Sequence, residues 1–165
     1  MVDFKKQGKR NRINGANFER RVRADLEKNG WIVAKWQNNV DFGFEIELLC
    51  GKKVFMNVND IKKHLKNDKR MPGDNSKKIG KCVQAKSNRF FMRSTGFPDF
   101  IRYSSCGKNK FVVDFVECKT NGYLDKTEKE KAKWYLDNNY CSKFLIASKT
   151  KVGRNIVVKY TEVAK

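Results

Sequence analysis

Residues 96–119 carry two apolar runs on either side of a turn at Cys106-Gly107-Lys108-Asn109, and both runs include charge. Alternation along Phe97, Asp99, Ile101 and Tyr103, and along Phe111, Val113, Phe115, Glu117 and Lys119, predicts the facing sides of an antiparallel hairpin, because strand side chains repeat every second residue. With Gly107 at the centre of the turn, Asp99 lies opposite Phe115 and Glu117 opposite Phe97. The two carboxylates are then diagonal neighbours on one face, roughly 7–8 Å apart at their bases. Lys119 follows on that face. Buried charge is costly unless it is paired or metal-bound, so two acids and an ammonium on an apolar stripe mark a candidate site.

The rest of the chain bounds what that site can serve. At 165 residues it fits one domain with its own hydrophobic core. Lys and Arg number 37 against 18 Asp and Glu, a formal charge of +19 that favours polyanions, with nucleic acid the default partner. The alternative source of that charge is a Lys- and Asn-rich coding bias. Aromatic residues at 12% exceed what a disordered basic tail carries. The cysteines Cys50, Cys82, Cys106, Cys118 and Cys141 contain no Cys-x-x-Cys pair, and His64 is the single histidine, which argues against a zinc finger. With no apolar leader and no apolar run of membrane length, the expectation is an intracellular protein, cytoplasmic or nucleoid/nuclear, not secreted and without a membrane partner. Its thiols would be free small core or surface residues.

In chain order, residues 1–13 form a basic arm (Lys5, Lys6, Lys9, Arg10, Arg12) without apolar periodicity. Asn14 or Asn17 caps a helix whose apolar stripe is Phe18, Val22 and Leu26, ended by Asn29-Gly30. Glu19 lies beside that stripe. Residues 31–36 read as the first strand. Residues 37–95 read as an insertion between the first and second core strands: strands over 44–49 and 53–58, a short helix over 60–67, an exposed loop over 67–81, and a segment from 82 to 92 that returns to the main sheet. After the hairpin, Thr127 with Glu130 forms a capping box for a helix through Ala132, Tyr135 and Leu136 that stops at Asn138-Asn139. Residues 144–147 read as a buried strand, and residues 156–163 as the last one. An α/β fold follows, with the final helix crossing between parallel strands.

Hydrolysing a phosphodiester requires neutralising charge on the phosphate and producing a hydroxide-like nucleophile at neutral pH, and a divalent metal does both. Magnesium takes hard oxygen ligands and keeps several waters. Asp99, Glu117 and the backbone carbonyl of Cys118 are suitable donors, and Lys119 supplies a point positive charge for the attacking water or the developing phosphorane. The bland reading of Lys119 is a structural ion pair. Arg89, Arg93, Arg102, Lys126, Lys129, Lys131 and Lys133 are candidate DNA-phosphate contacts, which position a duplex without reading it.

Pro98-Asp99 followed by Glu117-Cys118-Lys119 resembles the PD-(D/E)xK nuclease superfamily. Ala16-Asn17-Phe18-Glu19, Asn29-Gly30-Trp31, Gly96-Phe97-Pro98-Asp99 and residues 115–120 occur in family order and resemble the archaeal-type Holliday junction resolvases and the VRR-NUC nucleases. Trp36-Gln37-Asn38-Asn39 and residues 119–124 are similar to the latter branch. The resemblance implies a restriction-endonuclease-like core, a mixed β-sheet flanked by helices. It implies Glu19, Asp99, Glu117 and Lys119 as catalytic residues, Glu19 close to the metal, and Mg²⁺ (or Mn²⁺) as cofactor. The implied activity is an endonuclease for DNA, branched or duplex, with a homodimer supplying two sites for a four-way junction. Two departures stand out: Lys129 and Lys131 occupy helix positions where a glutamine is common, and the 37–95 insertion exceeds the connection in compact resolvases. Two other readings remain: a site-specific endonuclease of homing or restriction type, with the insertion reading bases, and a non-catalytic nucleic-acid-binding protein in which the acids and Lys119 merely pair.

Overall fold

Phe18, Val22 and Leu26 are all buried, on a helix that runs from Phe4 to Lys28 (α1). The computed structural model describes residues 4–47, 53–57, 78–85, 96–108 and 110–164. α1 closes as the Asn29-Gly30 signal predicts. Gly30 adopts φ 83°, its N–H reaches the Glu27 carbonyl at 3.0 Å, and the Trp31 N–H reaches Leu26 at 3.2 Å, the paired bonds of a Schellman cap. The start differs from expectation. Residues 4–13 continue the helix instead of forming a separate arm, since Lys, Arg and Gln lose little side-chain freedom in a helix and need no apolar face.

The chain divides into two compact units, Met1–Gln37 with Ala85–Lys165, and Asn38–Gln84. In the first, five strands form a mixed sheet in the order β1-β5-β6-β7-β8: β1 Ile32–Lys35, β5 Phe100–Gly107, β6 Lys110–Cys118, β7 Lys143–Val152 and β8 Asn155–Glu162. β6 and β7 are parallel and joined through α2 (Lys126–Asp137), as the crossover reading requires; the other pairs are antiparallel. Helices flank both faces. Phe18, Val22 and Leu26 of α1 join Val33, Phe100, Val116, Leu145 and Ala147 in one buried layer. On the other face Phe115, neighbour to Val116 and therefore pointing oppositely, meets Tyr135 of α2 edge-on, with ring centroids 4.9 Å apart. Phe144, Phe97 and Trp36 complete that aromatic layer. Full burial of each large apolar side chain contributes about 1.5–3 kcal/mol.

α2 begins two residues earlier than expected. The capping box is Asp125 with Glu128, not Thr127 with Glu130: the Glu128 N–H donates to Asp125 Oδ1 at 2.8 Å and the Asp125 N–H to Glu128 Oε2 at 3.0 Å. Both choices leave Ala132, Tyr135 and Leu136 buried, so the apolar pattern alone does not separate them.

The second unit is a three-stranded antiparallel sheet, β3-β2-β4, with β2 Asn38–Glu47 in the centre, β3 Lys53–Asn57 and β4 Ile79–Gln84. The expected strand pair is β2–β3, with Phe44 opposite Met56 and Ile46 opposite Val54. The described part of the returning segment, residues 82–85, does not join the main sheet: β4 takes the other edge of β2, with Val40 opposite Cys82, satisfying backbone groups that the edge would leave open, and residues 86–92 lie outside the described residues. Ile79, Gly80 and Lys81, expected in a loop, belong to this strand. The expected helix over 60–67 lies outside the described residues. Among the described residues no helix is long and apolar enough to cross a membrane. Cys141 is buried, Cys82 and Cys118 are half-buried and Cys106 is exposed, none of the four in a disulfide; Cys50 lies outside the described residues.

Candidate active site

The segment leading into β5 is fixed from both sides. Phe97-Pro98 is a cis peptide. The Phe97 carbonyl accepts the Tyr135 hydroxyl at 2.9 Å, and the Asp99 carbonyl accepts the Trp36 N–H at 3.2 Å, so α2 and the end of β1 together place Asp99. The hairpin register is Phe100 opposite Val116 and Ile101 opposite Phe115, two residues from the expected one, because Gly107 pairs with Lys110 instead of centring the turn and a β-bulge at Ser105/Gly107 offsets that pairing by one residue. A slip of two keeps every side chain on its face, and continuing this register brings Asp99 level with Glu117.

The two acids lock each other through the backbone. The Asp99 N–H donates to Glu117 Oε2 at 3.0 Å, and the Cys118 N–H donates to Asp99 Oδ2 at 2.9 Å. Each carboxylate retains a second oxygen. Asp99 Oδ1 lies 3.7 Å from Lys35 Nζ, and Glu117 Oε1 lies 3.3 Å from Lys119 Nζ. Lys35 also hydrogen-bonds Glu19 Oε2, and Lys119 bonds Glu128 Oε1 at 2.5 Å. The cluster therefore spans the end of the sheet: Glu19 and Lys35 come from the α1 side, Glu117, Lys119 and Glu128 from the α2 side, and Asp99 stands between them. With all groups ionised, four carboxylates face two ammoniums, a surplus of two negative charges.

Titration reflects that crowding. Burial, then the charge of Asp99, push Glu117 up to about 8, with Lys119 opposing the rise and Glu128 adding to it. Burial also raises Asp99, with Glu19 adding to the rise and the Cys118 N–H and Lys35 opposing it. The Cys118 thiol is driven upward by burial and by Asp99 and Glu117, so it stays protonated and contributes no thiolate ligand. For both lysines burial works downward, but it is outweighed by their carboxylate partners, chiefly Glu19 and Asp99 for Lys35 and Glu128 and Glu117 for Lys119. Both ammoniums end above their ordinary range.

Alternation thus brought Asp99, Glu117 and Lys119 together, and the packing of α1 adds Glu19. Lys35 and Glu128 were missed. Lys35 continues the inward alternation of Trp31 and Val33, and Glu128 sits three residues after a second capping residue, so both signals were readable. Arg102, expected to meet phosphate, is committed elsewhere: its guanidinium lies 3.9 Å over the Trp31 ring and bonds Asp114 at 2.8 Å. Lys126 and Lys129 are exposed on α2, Lys131 is half-buried 5.8 Å from the Phe97 ring, and Lys133 pairs with Asp137 at 3.8 Å. Arg89 and Arg93 lie outside the described residues.

The donor set fits a hard divalent cation of the magnesium type, which needs only one or two carboxylates because it keeps its waters. It is a two-carboxylate site: among the described residues no group of three His, Cys, Asp or Glu side chains is gathered around a common point. No protein-family model matches the chain, and no curated protein or solved structure matches it.

Proposed function

We propose that this chain is a divalent-metal-dependent endodeoxyribonuclease of the PD-(D/E)xK superfamily, with a restriction-endonuclease-like core and selectivity for branched DNA such as a four-way junction, acting as a two-fold dimer. The observation that carries this reading is the reciprocal lock of Asp99 and Glu117, which leaves one oxygen of each beside Lys35 and Lys119 in a strongly basic chain. Two like charges held together at the cost of raised protonation are an arrangement that a cation resolves.

Asp99 Oδ1, Glu117 Oε1 and the Cys118 carbonyl are the groups that would hold Mg²⁺ or Mn²⁺ directly, and Glu19 would hold one of the waters that such an ion keeps. Such an ion, when bound, lowers the pKa of its water and neutralises charge on the phosphate. The remaining work falls to the chain. Lys119, held between Glu117 and Glu128, presents a fixed ammonium to the attacking water or to a non-bridging phosphate oxygen. Lys126 and Lys129 on the exposed face of α2 supply sequence-independent phosphate contacts.

The existing ion pairs of Lys35 and Lys119 favour a second reading, a non-catalytic nucleic-acid-binding protein in which these charges are merely structural. One assay separates the two. Purified protein with Mg²⁺ is incubated with synthetic four-way junctions or linear duplex, beside the Glu117→Ala and Lys119→Ala variants. The nuclease reading expects junction cleavage that both substitutions abolish; binding without cleavage in Mg²⁺ and in Mn²⁺ overturns it.

A further inference from the structure

The two lysines of the site are not equivalent. Lys119 pairs with Glu117, an expected ligand, and with Glu128, which caps α2 and is not one. When an ion takes Glu117, Lys119 keeps its anchor. The ion pairs of Lys35 among the described residues are to Asp99, an expected ligand from the entry of β5, and to Glu19 of α1, the acid expected to hold one of the ion's waters. An arriving cation competes for both partners at once. What remains to Lys35 is its place 4.5 Å over the Phe100 ring, a weaker hold than two carboxylates.

We infer that Lys35 is a built-in exchangeable counter-ion: it holds Glu19 and Asp99 together while no metal is bound, and a divalent ion must displace it. This rests on the proposed metal-dependent reading and adds to it a device that sets the ion affinity of the site. Lys35 sits on β1, an edge strand of the sheet, and its side chain is 31% exposed, so the displaced ammonium can swing toward solvent without unpacking the core. Removing it increases the surplus negative charge of the cluster from two to three. At 3.7 Å from Asp99, one unit charge near a protein surface alters cation binding substantially, and roughly tenfold tighter binding is expected after allowing for screening.

The test uses calorimetric titration of Mn²⁺ and Ca²⁺ into the full chain without DNA at low salt. Lys35→Met is expected to bind about tenfold more tightly than the unaltered chain, and Lys35→Arg, which keeps the charge, to bind with nearly unaltered affinity. Equal or weaker binding by Lys35→Met overturns the inference. A measurement on the unaltered protein guards against a variant that does not fold: amine acylation read by mass spectrometry, with and without saturating Ca²⁺. Lys35 labelling should rise on ion binding while Lys119 changes little; an unchanged Lys35 rate overturns the inference. The two failures are distinguishable. If the unaltered chain binds no divalent ion, the nuclease reading and this inference fall together. If it binds ions in a manner that Asp99→Asn abolishes, and Lys35 neither weakens binding nor is released, only the counter-ion role is lost.

Discussion

The β5–β6 hairpin carries two cross-strand charge arrangements, and they solve opposite problems. Near its middle Arg102 faces Asp114; Nε and Nη2 both donate to Oδ2, at 3.1 and 2.8 Å, beneath the Trp31 ring. Side-chain exposures of 13% and 2% remove this pair from water and from any polyanion. At the open end of the same hairpin Asp99 and Glu117 are held together although both are acids, and two lysines on opposite sides of the sheet offset them. A buried carboxylate matched by a guanidinium has its charge offset in place, although Asp114 Oδ1 has no hydrogen-bond partner among the described residues. Two abutting carboxylates remain responsive to whichever cation is present. Burial alone therefore does not separate the two arrangements; the sign of the neighbouring group does.

The largest effect should come from breaking the matched pair. Arg102→Met leaves Asp114 buried without its cation and is expected to cost about 3–5 kcal/mol in urea unfolding, with any cleavage expected on the proposed nuclease reading retained per folded molecule. A loss below 1 kcal/mol would erase the contrast between the two ends of the hairpin. Next in size, a divalent ion at a hundred times its dissociation constant should stabilise the chain by about 2.7 kcal/mol, read as a rise in melting temperature that Asp99→Asn removes.

The third prediction concerns pH. In the folded metal-free chain Glu117 keeps its proton up to about pH 8, against an ordinary value of 4.5. Between these values folding takes up a proton, so stability falls as the pH rises through this window and is fully present below it. Glu117→Gln should flatten that slope and leave the metal-free variant more stable than the unaltered chain at pH 8 by at least the ~1.4 kcal/mol of one pKa unit. A steeper slope in the variant would show that Glu117 is stabilised as a carboxylate. The smallest effect is assigned to Tyr135→Phe, which leaves the Phe97 carbonyl without its donor and should cost about 1 kcal/mol, with a measurable weakening of ion binding through Asp99.

The legible part of the molecule was local. The α1 stripe, its glycine cap and the parallel crossover follow from periodicity and from one positive-φ position, and the chain obeys them. The hairpin register did not follow, because Gly107 pairs with Lys110 instead of centring the turn, and the bulge at Ser105/Gly107 takes back one residue of that shift, leaving a slip of two. Alternation fixes the face and leaves sliding by two residues free, which is why Asp99 and Glu117 still met. Charge was read least well. Arg102 looks like any surface cation until Asp114 and Trp31 are seen on either side of it, and Lys35 looks like a strand-end lysine until Glu19 arrives from a helix sixteen residues away in sequence. Pairings of this kind are set by tertiary packing, to which single-residue chemistry is blind.

Glu128 joins two tasks in one side chain, since one of its oxygens closes the first turn of α2 and the other grips Lys119. Fraying at that end of the helix and wandering of the lysine are consequently a single event. Hydrogen exchange at the Asp125 amide would then act as a gauge of how often the ammonium leaves its post and, on the nuclease reading proposed above, of readiness for chemistry.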